Sequence, residues 1–437
     1  MQMNNIVTVV GAGLAGSEAA WQLAGRGLNV VLYEMKPDTY SPAHTRPGFA
    51  ELVCSNSLKA DYLSNASGLL KAEMRAFDSL ILKAADVAKL PAGGALAVDR
   101  DVFSGYITDA LCALPNVEVR RERVDTLPNG PVIIATGPLT HETLAAQIQA
   151  LPGFGALHFF DAEAPIVTYE SLDLSKVFPA SRYGKGSDDY LNCPMTEEEY
   201  NAFYDALMSA ETAEVHEFDK KQVFEGCIAV EILAGRGRQT LAFGPLKPVG
   251  LIDPATGKMP YAVVQLRRDN MSGSLYNIVG FQTRLKFPEQ KRVFSMIPGL
   301  ENAEFARYGV MHRNTYLNSP DVLYRNYQVK GNPLMRFAGQ MTGVEGYVES
   351  AASGLVSGIA LAQVLNGKEE PDFGDITILG ALARHVMTET SDFQPMNANF
   401  GILPAYEKKI RNKKERYEAM AQRSLEYIRK LSDNIAT

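Results

Sequence analysis

Cysteine is scarce in this chain: four occur in 437 residues, Cys54, Cys112, Cys193 and Cys227. So few and so scattered, they build no disulfide framework, and reduced thiols are expected. No CxxC pair occurs, so no zinc or other metal site is expected. Long apolar runs are missing too. None approaches the roughly 18 residues needed to cross a bilayer, and no membrane association is expected. The first apolar stretch, Ile6 to Val10, leads straight into glycines. With no basic flank and no cleavage-like site, it does not read as a signal peptide. The expected compartment is therefore the cytoplasm. A positive charge excess is also absent, the net charge being −7. That balance argues against a protein that coats nucleic acid but leaves room for a local basic face. Residues 401–437 hold nine Lys or Arg against five Asp or Glu. The charge gathers in Lys408, Lys409, Arg411, Lys413, Lys414 and Arg416. Charge pattern alone fits a solvated terminal helix equally well.

Hydrophobic residues make up 46% of the chain, enough for a large core without disulfides or metals. The N-terminus reads strand, glycine turn, helix, strand. Ile6 to Val10 is a β-branched run, and Gly11-Ala12-Gly13-Leu14-Ala15-Gly16 follows at once. Ala19, Ala20, Leu23 and Ala24 recur at helical spacing, and Gly25 and Gly27 close the helix. Val30 to Tyr33 is a second buried strand with Glu34 at its end. A similar strand, Val132 to Ala135, ends in Thr136-Gly137-Pro138. A third block lies late: strand Leu334 to Ala338, glycine turn Gly339 to Gly346, helix Val348 to Leu365. That helix is full of small residues, which permit close approach to a sheet or ligand. Between about 155 and 310 the texture changes to Tyr, Phe, Pro and alternating strand-like runs such as Tyr261 to Leu266.

A lone GxGxxG is weak evidence, but here a strand precedes it, a helix follows and an acidic residue ends the next strand. Gly11 permits the tight turn, Gly13 lets backbone touch a pyrophosphate, and Gly16 lets helix pack on strand. Free N–H groups and the dipole of the helix hold phosphate, and Glu34 accepts from ribose hydroxyls. The chain shows one such fingerprint, with later segments returning to the same domain. That arrangement predicts FAD held across a split domain. The late helix would aim its positive end at the flavin and stabilise the reduced anion. NADH or NADPH would then bind transiently as reductant. The expected fold is α/β, a Rossmann-like, glutathione-reductase-like FAD-binding domain split by an α+β insertion. Its expected boundaries are 1–155, 156–309 for the insertion, and 310–437 with basic C-terminal helices.

The cysteines divide by context. Cys112 sits on an apolar helical pattern and is expected in the core. Cys193 is expected as a small buried loop residue. Cys54 lies in the polar turn Leu52-Val53-Cys54-Ser55-Asn56-Ser57, and Gly226 would leave Cys227 accessible. Reactivity requires a lowered pKa, which no sequence displays.

Over essentially its whole length the chain resembles the folate- and FAD-dependent tRNA uridine-5-methyltransferases, the TrmFO family. The resemblance rests on Val9 to Ala20, Val53-Cys54-Ser55-Asn56-Ser57-Leu58-Lys59 and Phe224-Glu225-Gly226-Cys227. It continues through Phe243-Gly244-Pro245-Leu246-Lys247-Pro248-Val249-Gly250-Leu251, Met311 to Tyr316 and Phe337 to Ser350. Three departures stand out. Ile228-Ala229-Val230-Glu231 lacks the family's usual Pro, Gln239 replaces a usual Asp, and Arg268 stands where Gln is common. The resemblance implies methylation of carbon 5 of a uridine in tRNA, with 5,10-methylenetetrahydrofolate as one-carbon donor and reduced FAD as electron source. It implies Cys227 as nucleophile, Cys54 as general base or thiol partner of the flavin, and Tyr347 near the active centre. Gly137, Gly339, Gln340 and Gly346 join the glycine fingerprint in the flavin site. His312 would stack on the folate. Lys408, Lys409, Lys413 and Lys414 would meet tRNA phosphates, as would loops carrying Arg236, Arg238, Arg284, Lys286, Lys291 and Arg292. The target base should leave its stack to reach the flavin. No stable protein partner is implied. Rival readings are the same chemistry on ribosomal RNA, the longer wobble-uridine family related to GidA, a flavin oxidoreductase acting on a small molecule, and a non-catalytic RNA-binding flavoprotein.

Overall fold

β-branched residues fill Ile6–Val10 and Val132–Ile134 and, with Leu32 and Tyr33, make up most of Asn29–Tyr33, and these strands lie side by side within a six-stranded sheet. The computed structural model describes residues 6–154, 156–162, 164–184, 188–213, 228–390 and 393–436. The sheet order is Gln328–Val329, Asn332–Phe337, Val132–Ile134, Ile6–Val10, Asn29–Tyr33, Val117–Arg120. All neighbours are parallel except the first pair. Ile134 pairs with both Val10 and Phe337. A strand from beyond residue 330 thus completes the sheet that residue 6 begins.

Two helices pack on one another beside this sheet, Leu14–Ala24 and Tyr347–Leu365. Small residues make the contact possible. A Cβ on Gly354 would lie 2.1 Å from the carbonyl oxygen of Ala15, and one on Gly358 would lie 2.9 Å from that of Ala19. The late helix is long and apolar enough to cross a membrane by length and composition. Here Val348 to Gln363 are buried in the protein interior instead. Each large aliphatic side chain so covered contributes roughly 1.5–3 kcal/mol.

A second six-stranded sheet has its own core. Its order is Phe178–Pro179, Tyr190–Met195, Ala262–Arg268, Leu275–Ile278, Ile166–Thr168, Phe305–Arg307, antiparallel throughout. Helix Glu197–Met208 covers it, started by a reciprocal capping box between Thr196 and Glu199. The chain enters and leaves this region along Ala156–Ala162 and Met311–Leu317, an antiparallel pair. A three-stranded sheet of Ser57–Ala60, Ala95–Val98 and Lys89–Leu90 lies next to the loop of Cys54.

Several expectations need correction. Cys112 is exposed, not core. It ends helix Arg100–Cys112, whose buried stripe is Phe103, Ile107 and Leu111, and position 112 falls off that stripe. Cys193 is buried as expected, but on the strand Tyr190–Met195 rather than in a loop. Lys291 and Arg292 lie in helix Phe287–Phe294, not in a loop. Lys408 and Lys409 precede the C-terminal helix, which begins at Lys413.

Candidate active site

A large cavity opens where the strand ends of the parallel sheet meet the first and late helices. It holds about 1340 Å³ of empty space, open mouth included. Its wall is drawn from the glycine turn, the loop of Cys54, the segment 135–141 and the start of the late helix, which suits an extended ligand. Gly11 adopts φ +96°, and its N–H donates to the carbonyl of Tyr33 at 2.8 Å. A Cβ there would meet the Ala135 carbonyl at 2.7 Å, and a Cβ on Gly16 would lie 1.7 Å from the Gly11 carbonyl. A Cβ on Gly13 would meet nothing within 4 Å. The space in front of Gly13 therefore belongs to the cavity, not to packing. Gly13 caps helix Leu14–Ala24 without a side-chain acceptor. Its first-turn N–H groups have no partner within the helix. Leu14 and Ala15 line the cavity, so the positive end of the helix faces it.

Glu34 lies beside this turn and is 6% exposed. One carboxylate oxygen accepts the N–H of Ala12 at 3.0 Å and the other that of Lys36 at 3.0 Å. Both oxygens keep lone pairs for a ligand's hydroxyls. The open space beside Gly13 and the free lone pairs of Glu34 suit a pyrophosphate and a ribose respectively. Gly137, Gly339 and Gln340 line the same cavity. Ala12, Gly16 and Gly346 stand behind its wall. Gly346, at φ +121°, starts the late helix, where a Cβ would lie 2.2 Å from the Glu349 carboxylate and 2.7 Å from Lys59 Nζ. Met35, Lys36, Ser41, His44, Glu51 and His141 also line the cavity and were not foreseen. They belong to no motif, and only the fold brings them in.

Cys54 and Tyr347, 293 residues apart in sequence, line the same cavity. The Tyr347 phenol oxygen accepts the N–H of Cys54 at 2.7 Å and of Ser55 at 3.2 Å. Its distance to Cys54 Sγ is 2.9 Å. Two lone pairs are already used by the two N–H donors, so the phenol proton is left to donate to sulfur. Burial, and then the neighbouring Cys54, push the Tyr347 phenol far above its ordinary range. It therefore keeps that proton.

Other expected residues lie elsewhere. Cys227 falls outside the described residues. His312 pairs through its backbone with Asp161, and its side chain falls outside the described residues. Lys408, Lys409, Lys413 and Lys414 are exposed and do not line the cavity. Arg238, Arg284, Lys286 and Arg292 each lie against a carboxylate, of Asp205, Glu231, Glu211 and Glu289. Among the described residues no group of His, Cys, Asp and Glu is placed to hold a metal.

The family model for glucose inhibited division protein A matches residues 6–369. A Staphylococcus carnosus protein is 60% identical over 97% of this chain and 98% of its own length. A Bacillus licheniformis protein is 59% identical over 99% of the chain and 100% of its own length. Both are called methylenetetrahydrofolate–tRNA-(uracil-5-)-methyltransferase TrmFO. The chain belongs to the TrmFO family. Among solved structures, Aquifex aeolicus GidA superposes with a TM-score of 0.72 at 16% identity. The superposition covers 98% of this TrmFO chain and 73% of GidA. At that identity the likeness concerns the fold alone: a Rossmann-type architecture with a parallel sheet.

Proposed function

We propose that the chain transfers a one-carbon unit from 5,10-methylenetetrahydrofolate to carbon 5 of the T-loop uridine of tRNA, forming 5-methyluridine. FAD occupies the cavity, and NADH or NADPH reduces it. The observation that carries this reading is a single cavity lined by Gly11, Gly13 and Glu34 and also by the hydrogen-bonded pair Cys54 and Tyr347. Residues 1–155 and 310–437 form the flavin domain in this reading, and 156–309 the insertion. The reaction belongs to the cytoplasm, with tRNA and folate as the partners.

Carbon 5 of uracil is a poor nucleophile. Addition of a thiolate at carbon 6 converts the ring to an enolate that attacks through carbon 5. Cys227 makes that addition. When bound and reduced, the flavin supplies the two electrons that bring the folate-derived carbon to the methyl level. The enolate bonds through carbon 5 to the folate-derived methylene. Cys54 then takes the proton from carbon 5 as the bond from that methylene to the tetrahydrofolate nitrogen breaks, and two-electron reduction of the resulting exocyclic methylene to methyl expels Cys227 from carbon 6 as thiolate. Tyr347 holds Cys54 in place through the two N–H contacts and its own O–H. Gly13 and the first-turn N–H groups grip the pyrophosphate, and Glu34 the adenosine ribose. Lys408, Lys409, Lys413 and Lys414 meet RNA phosphates, which orient the substrate without reading its sequence. His312 stacks on the folate.

The test is an assay of yellow, flavin-loaded protein with ¹⁴C-methylenetetrahydrofolate, NAD(P)H and unmodified tRNA. Label should appear in tRNA as 5-methyluridine. Label confined to a parallel ribosomal RNA transcript, or absent from both, would overturn the assignment.

A further inference from the structure

The loop that carries Cys54 is gripped from two sides by buried arginines. Arg100, at the start of helix Arg100–Cys112, donates to the carbonyls of Leu52 at 2.5 Å and Val53 at 3.2 Å. Arg267, on the insertion strand Ala262–Arg268, donates to Asn56 Oδ1 at 2.9 Å and Ser55 Oγ at 2.8 Å. Both side chains are almost fully buried. Asp269 ties the two sides together, since its carboxylate lies 3.3 Å from Arg100. Two further contacts cross the same junction. Asn56 donates to the carbonyls of Val98 at 3.1 Å and Arg268 at 2.9 Å, and the Met271 N–H donates to Asp99 at 2.7 Å. Every residue from Leu52 to Asn56 is thus held by a hydrogen bond to another part of the chain, with Tyr347 holding the backbone of Cys54 itself.

Such a network is more than cohesion. A guanidinium presents a rigid planar fork, so two acceptors held by one Arg are fixed relative to each other. Burying these guanidiniums costs solvation that a plain apolar junction would not incur. The loop's position is where that cost has a use, because a catalytic group displaced by about 1 Å can lose on the order of a hundredfold in rate.

We propose that Arg267 and Arg100 are positioning residues for Cys54, and that the insertion sheet, through Arg267 and Asp269, sets where the thiol stands in the flavin cavity. This rests on the function proposed above. It accounts for a sheet with its own separate core closing directly onto the Cys54 loop. It also separates two tasks. The glycine turn and Glu34 bind the dinucleotide, whereas the arginine pair touches neither and acts through the loop backbone and side chains.

The experiment compares Arg267→Gln with the parent protein as flavin-loaded, full-length enzyme. Two quantities are read: kcat and KM for tRNA methylation, and the iodoacetamide labelling rate of each cysteine resolved by peptide mass spectrometry. Expected are full flavin absorbance, a KM for tRNA within about twofold and a kcat lowered at least about tenfold. Labelling of Cys54 should change about fivefold or more, while exposed Cys112 labels at the parent rate. Asp269→Asn, which keeps both arginines but loosens Arg100, should move Cys54 labelling in the same direction and carries the test if Arg267→Gln does not fold. Parent values of kcat and Cys54 labelling in a folded variant would overturn the proposal. The labelling arm needs neither RNA nor folate. It therefore decides the clamp even if the parent forms no 5-methyluridine.

Discussion

Three glycines of one turn do three different jobs, and substitution should separate them. Gly16 has no room at all, its Cβ falling 1.7 Å from backbone, whereas Gly13 faces open cavity. Gly16→Val should therefore lower the thermal midpoint markedly and lose flavin together. Gly13→Val should fold with a near-parental midpoint yet purify colourless, because its side chain fills the pyrophosphate space. Absorbance at 450 nm beside a melting curve distinguishes them, and a yellow Gly13→Val would refute the cradle. Cys227→Ala should remain yellow but form no methyluridine. Full activity in that variant would remove the nucleophile assignment. At this scale the fingerprint was legible because backbone conformation leaves a mark in sequence: only glycine tolerates φ +96° at Gly11 without strain. The Tyr347–Cys54 contact left no such mark. Only the family resemblance had brought these residues together, and nothing in either local sequence announces a partner 293 residues away.

Helix ends carry a second group of consequences. Glu73, fully buried in helix Ala66–Arg75, accepts the N–H groups of Ile378 and Leu379, each at 2.9 Å, and the hydroxyl of Ser424 at 2.5 Å. One carboxylate thereby caps helix Ile378–His385 and docks the C-terminal helix. Burial raises its pKa from 4.5 to about 7, against the pull of those hydrogen bonds. The folded protein therefore keeps a proton that the unfolded chain releases above about pH 4.5. Stability from this group is full below that pH and is lost as pH rises through about 7. The span is roughly 3 kcal/mol. Glu73→Gln should remove this pH dependence. It should also cost about 1–3 kcal/mol at low pH, because an amide oxygen cannot serve all three donors. Urea titrations at pH 4.5, 6 and 8 check both effects, and identical pH slopes for variant and parent would contradict the raised pKa. Helix placement itself was readable from period and caps. Cys112 shows the limit, since an apolar run at the end of Arg100–Cys112 does not say which side of the last turn meets the core.

Over the whole molecule, charge is distributed unevenly. The net charge is −7, yet the segment leading into the last helix is basic and its lysines are exposed. Lys414 has a loose i,i+4 contact to Glu418 at 3.8 Å, and Lys413 lies over the Tyr417 ring at 5.5 Å. Contacts so exposed hold the side chains weakly, leaving them available to phosphate. Changing Lys408, Lys409, Lys413 and Lys414 to Gln should weaken tRNA binding and flatten the dependence of log Kd on log salt by up to about 3. Filter binding from 50 to 300 mM KCl measures it, with flavin content unchanged. A slope equal to the parent's would return this segment to a solvated helix. Arg238, Arg284, Lys286 and Arg292 are weaker candidates, each already lying against a carboxylate.

The sequence by itself determined the elements and the dinucleotide cradle. Those depend on local rules: alternation and period for strands and helices, glycine where φ must be positive, and a carboxylate at the next strand end. Tertiary structure alone decided what meets across distance. It set Phe337 beside Ile134, Tyr347 against Cys54, and Arg267 on the loop that Arg100 holds from the other side. Those meetings depend on how two separately cored sheets close on each other, and no local pattern encodes an angle between sheets.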